Sequence, residues 1–105
     1  MAKPPVTVAE YLDLVDQAIY EVGELIRCAE DEADPEEYEF TPQLPQFGEL
    51  ERGLRQLHAE VAAGTHAFAN GADLPFMPLV RKLGERLPFR TLIETINTAH
   101  KTGVS

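Results

Sequence analysis

An all-α fold, a small bundle of about four helices with no sheet, is what this 105-residue sequence predicts, and three observations carry the prediction. Apolar residues recur three and four apart through two long stretches and two shorter ones, the signature of a single buried helix face. Capping, proline and glycine signals bracket each stretch. The composition, 44% hydrophobic and 26% charged, is that of an ordinary globular protein. At this length one domain, 1–105, buries roughly 65% of the surface its unfolded chain exposes, enough for a single core.

Thr7-Val8-Ala9-Glu10 reads as a capping box, with the Thr7 hydroxyl on the Glu10 amide and Val6 placed to staple against Tyr11. The stripe Val8, Tyr11/Leu12, Val15, Ala18/Ile19, Val22, Leu25/Ile26, Ala29 then predicts a helix over about 7–33. Asp34-Pro35 ends it, because a residue before proline is disfavoured in helical geometry, and 31–41 becomes an acidic linker. A second helix over 42–63 follows from the proline-tolerant entry Thr41-Pro42, the stripe Leu44, Phe47, Leu50, Leu54, Leu57, Val61, and the stop at Gly64. Gly53 in its middle costs about 1 kcal/mol relative to alanine, which predicts another helix passing close by. Residues 64–73 have no sustained period and read as a loop with Phe68 tucked inward.

Leu74-Pro75-Phe76-Met77-Pro78-Leu79-Val80 and Leu87-Pro88-Phe89-Arg90-Thr91-Leu92-Ile93 match as L-P-F-x-x-L-[VI], thirteen residues apart. That interval is too short for a solenoid repeat. Each copy reads as a helix entry, giving helices over about 76–86 and 89–102, the last burying Phe89, Leu92, Ile93, Ile96 and Ala99 and stopping at Gly103.

Charge is distributed unevenly. Residues 1–46 hold twelve acids against Lys3 and Arg27, a net of −10, whereas 47–105 hold six acids and seven bases. The whole chain stands at −9, which opposes direct nucleic-acid binding because phosphate neutralisation needs clustered Lys and Arg. The local exception, Arg81, Lys82, Arg86 and Arg90, is expected to face helix 1 or the acidic linker. The longest uncharged stretch, Val61 to Ala72, is too short and polar to span a bilayer, so a cytoplasmic location is expected.

Catalytic and cofactor motifs are not found. The acidic run Glu30–Glu39 lacks the spacing and glycine turn of a helix-loop-helix calcium site. The residues three before His58, His66 and His100 are Arg55, Ala63 and Asn97, so no Glu-x-x-His pair is available for a carboxylate-bridged di-iron centre. No metal ligands and no cofactor are assigned. The sole serine is terminal Ser105, and Cys28 has Glu24, Asp31 and Glu32 a turn away, which opposes a reactive thiolate. Cys28 is expected to pack at the edge of the helix 1 stripe. The row Thr91, Thr95, Thr98, Thr102 falls opposite the last helix's core stripe and reads as a solvent-facing surface. No glycine-rich phosphate cradle occurs.

The segment Thr7–Glu21 together with Asp73–Val80 resembles a set of short, acidic, all-α proteobacterial proteins that are functionally uncharacterised, some carrying a general secretion pathway label. The resemblance spans most of the chain and implies the same small helical fold, with no motif tied to an activity.

Three functional readings stay open. The first is an interaction or accessory module that docks a basic protein, or a second copy of itself, through Glu10, Asp13, Glu21, Glu24, Asp31 and the linker pair Glu36 and Glu37. Against it stands the plainer view that these acids only confer solubility. The second is an enzyme or small-ligand binder whose pocket near 64–75 would gather His66, Asp73 and Arg90. The third is an acidic mimic of nucleic acid.

Overall fold

The computed structural model describes residues 5–31, 44–69 and 71–104. Among them every regular element is helical: α1 (Val8–Asp31), α2 (Leu44–Ala63), α3 (Met77–Leu83), continued by a 3-10 turn (Gly84–Arg86), and α4 (Arg90–Thr102). The expected linker 31–41 lies outside the described residues apart from the backbone of Asp31, which closes α1, and Glu36 and Glu37 lie outside with it.

Helix α1 starts as its capping box dictates. The Glu10 amide donates to Thr7 Oγ1 at 3.1 Å, and Glu10 Oε1 accepts from the amides of Thr7 at 3.2 Å and Val6 at 2.9 Å. The expected staple is not formed: Val6 is 64% exposed, because the carboxylate already fixes the chain's entry and Tyr11 turns wholly inward. In α2, Pro45 sits in the first turn, where its missing N–H would have had no partner in any case. Pro78 occupies the same kind of position in α3, and Gly84, with φ of 54°, ends it.

Helices α1 and α2 form an antiparallel hairpin, since Gly23 lies against Glu51 and Asp16 meets His58 while Tyr11 reaches Phe68, just beyond α2. Between them lie Tyr11, Val15, Ala18 and Val22 from α1 and Phe47, Leu50, Leu54, Leu57 and Val61 from α2. Helix α4 packs on α1 and buries Ile93 and Ile96 completely, and α3 spans α2 and α4 with Met77, Val80 and Leu83 turned in. Each such side chain contributes about 1.5–3 kcal/mol on leaving water. Gly53 has the physical reason its position demanded: a Cβ there would stand 2.9 Å from Cδ2 of Phe76, the residue capping α3. The neighbour is thus one aromatic ring at a helix entry. Cys28, expected at the stripe's edge, is exposed on the solvent side of α1.

Candidate functional site

Two surfaces stand out, one on α1 and one between α2 and α3. Tyr20 follows Tyr11 by nine residues, which at about 100° per residue puts it half a turn away from the buried face. It is 62% exposed, a large aromatic ring standing in solvent. Helical spacing surrounds it with Asp13, Asp16, Gln17, Glu24 and Arg27, all within two turns. The charges of this face are partly engaged. Glu24 pairs with Arg27, Asp16 Oδ1 stands 3.1 Å from His58 Nε2, and Glu10 is committed to the cap, whereas Asp13 is exposed and Glu21 half-buried. Hydrogen bonding to Glu24 raises the Arg27 pKa above its ordinary value.

The second surface begins with the irregular segment 64–76, which is fastened to α4. Asn97, buried in the last turns of α4, accepts the Leu74 amide on Oδ1 at 2.8 Å and donates from Nδ2 to Asp73 Oδ1 at 3.0 Å. Asp73 also meets Arg81 Nη2 at 2.5 Å and Lys101 Nζ at 3.3 Å. The Asn97 hydrogen bond first, then that from Arg81, holds the Asp73 carboxyl well below the usual range. The Ala69 amide donates to the His100 carbonyl at 2.8 Å, with Ala69 itself at a φ of 60°. Close by, His66 Nε2 and His100 Nδ1 are 2.8 Å apart, so at least one of the two rings must be neutral to accept the shared proton. Burial first, and then His100, lower the pKa of His66, with Glu60 pulling the other way. Phe68 stands edge-on to both His66, at 4.7 Å between centroids, and Tyr11, at 5.1 Å.

So fastened, the segment forms one wall of a groove of about 430 Å³ against α2. Leu57, Leu74, Pro75, Phe76, Pro78 and Leu79 supply its apolar surface; Glu49, Gln56, Glu60 and His66 supply its polar groups. Glu49, Gly53, Gln56 and Glu60 share a stripe of α2, so the groove follows that helix for about 16 Å at 1.5 Å per residue. A shallower groove of about 240 Å³ runs along the threonine row of α4, walled by Pro5 and Glu94. There Thr95 and Thr102 bond back to the carbonyls of Thr91 and Thr98, leaving the row on the solvent side.

Of the three residues placed by sequence near a 64–75 pocket, His66 lines the α2–α3 groove. Asp73 faces Arg81, Lys101 and Asn97, and Arg90, at the far end of α4, stands 4.0 Å from Glu94. The basic group expected to face helix 1 or the linker is thus partly spent elsewhere, Arg81 on Asp73 and Arg90 on Glu94. Tyr20, Asn97 and the groove wall Leu79 were not singled out by sequence reading. A tyrosine half a helical turn from the core stripe is a readable signal, whereas an asparagine inside an apolar stripe reveals its partner only in the fold. Among the described residues no cluster of His, Cys, Asp and Glu could hold a metal ion, and no helix is long and apolar enough to cross a membrane. The chain matches no family model, no curated protein and no solved structure.

Proposed function

We propose that this protein is a small cytoplasmic interaction module that docks a basic protein partner through the solvent face of α1, with Tyr20 as its anchor. The observation that carries the reading is the exposed Tyr20 ring set among Asp13, Asp16 and Glu24. Isolated apolar residues on a surface need no explanation, but an exposed tyrosine at the centre of an acidic helix face combines the two features that partners use. Aromatic rings supply contact area at small entropic cost, and the surrounding charge steers a basic surface in. The net charge of −10 over residues 1–46 extends the attraction along the same end of the chain.

The test compares retention of proteins from the source cell extract, at low salt, on the wild type and on two variants, Tyr20→Ala and the double reversal Asp13→Lys/Glu24→Lys. The wild type retains basic proteins that elute as salt rises to physiological strength. Tyr20→Ala loses the same partners at an unchanged circular dichroism spectrum, and the reversal slows their association more than it speeds dissociation. Equal retention by all three proteins would reduce the face to a solubility device. Displacement of the captured partner by DNA would mark it instead as a nucleic-acid mimic.

A further inference from the structure

The α2–α3 groove lies away from the acidic face of α1 and is independent of the reading above. Its surface is mostly apolar, and its volume of about 430 Å³ falls within the range of small-molecule sites, roughly 300–1,000 Å³. The informative feature is the balance of charge around it. Two carboxylates, Glu49 and Glu60, line the groove, and no lysine or arginine does.

Three other acids of the second half of the chain have cationic neighbours: Glu51 has Arg55 at 3.6 Å, Glu94 has Arg90, and Asp73 has both Arg81 and Lys101. Among the described residues Glu49 and Glu60 form no such ion pair; the Glu60 side chain only accepts a hydrogen bond from Gln56 Nε2, at 2.9 Å. The remaining titratable group in the groove, His66, is held toward its neutral form by burial and by His100. The groove therefore presents an apolar surface flanked by unneutralised negative charge. The segment that walls it is not free to collapse inward, because Asn97, Asp73 and His100 fasten it to α4.

We infer that this groove is a binding site for a small amphipathic organic cation, an alkyl or aryl amine. Its apolar body would lie on Leu57, Leu74, Phe76 and Leu79, with its ammonium held by the half-buried Glu60. An anion of the same shape meets two carboxylates and is rejected; a neutral analogue keeps the apolar contact and loses the charge-assisted hydrogen bond. The site's volume suits a small molecule; a protein segment would need a larger interface to hold.

The experiment is a titration of the 15N-labelled full chain with three probes of equal chain length, octylammonium, 1-octanol and octanoate, followed by amide chemical shifts. Octylammonium is expected to shift Gly53, Gln56, Leu57, Glu60, His66, Leu74 and Leu79 in a saturable manner. Octanol should bind the same residues about tenfold more weakly, and octanoate more weakly still. Glu60→Gln should reduce the octylammonium affinity about tenfold and leave that for octanol unchanged. Leu79→Trp, on the half-buried groove wall, should abolish both, with the Leu74 and Asn97 shifts serving as a check that the fold persists. The inference is overturned if octanoate binds as well as octylammonium, if Glu60→Gln has no effect on the amine, or if the shifts gather on Asp13, Asp16 and Glu24. The last outcome would mean only diffuse attraction of cations to the acidic face.

Discussion

The α1–α2 hairpin and the 64–76 segment are held in place by opposite means. Four fully buried apolar residues of α1 meet the stripe of α2, and the backbone of both helices satisfies itself, so the pairing rests mainly on packing, with Asp16 and His58 meeting at its solvent edge. Among its described residues the 64–76 segment forms no helix or strand. On α4 the Asn97 side chain accepts its Leu74 amide, the His100 carbonyl accepts its Ala69 amide and the His100 ring meets His66, while Asn97, Lys101 and Arg81 hold its one acid. A helix face can lose one contact and keep many others. An irregular segment resting on single hydrogen bonds cannot, because each buried amide left without a partner costs the full price of its dehydration.

The largest expected effect breaks that comparison at its strongest point. Asn97→Ala removes the acceptor of the Leu74 amide and a donor to Asp73 together, and is expected to lower stability by about 2–3 kcal/mol in urea unfolding. Amide exchange should accelerate first at Leu74 and Ala69, before any change in α1. A loss below 0.5 kcal/mol would show that the segment is held by apolar packing like the hairpin.

Gly53→Ala probes the hairpin side where it meets the segment. On an open helix the change would stabilise by about 1 kcal/mol, but the new methyl would stand 2.9 Å from the Phe76 ring, which is itself buried. A net destabilisation of about 1–2 kcal/mol is expected. Stabilisation would mean that Phe76 can yield.

Tyr11→Phe sharpens the contrast between polar and apolar fastening. The Tyr11 hydroxyl is buried with no hydrogen-bond partner among the described residues, and burial raises its pKa well above the ordinary 10.0. Removing it relieves an unsatisfied polar group while keeping the ring against Phe68, so a gain of up to about 1 kcal/mol is expected by thermal unfolding. Destabilisation would mean that the hydroxyl finds a partner in solution.

The smallest effect is one of pH. Because the His66 pKa is lowered from 6.5 in the folded protein, the unfolded chain takes up the proton first as pH falls. The associated stabilisation is complete above the ordinary histidine value and is lost below it, so the melting temperature should decline between about pH 7.5 and pH 5. Asp73, lowered from 3.8, contributes stability that persists through this window and disappears only at more acid pH. His66→Phe, carried in a His58→Gln background to remove the ring that faces Asp16, should flatten the decline above pH 5. An unchanged slope would place the titrating group elsewhere.

Helix existence, type and approximate limits could be read directly from the chain, because an amphipathic stripe and its caps are local properties. The box Thr7–Glu10, the stripe Tyr11 to Val22 and the stop at Gly103 all depend on residues within a few turns of one another. The position of Tyr20 on the acidic face follows from the same helical arithmetic. What only the tertiary structure decided are the meetings of residues far apart in sequence: Asn97 with Leu74, His66 with His100, Asp73 with Arg81 and Lys101, and Phe76 on Gly53. These depend on how the helices pack rather than on the period of any one of them. The groove between α2 and α3 belongs to the same class, since its walls come from segments that have no common periodicity and face each other only once α4 has fastened the chain between them.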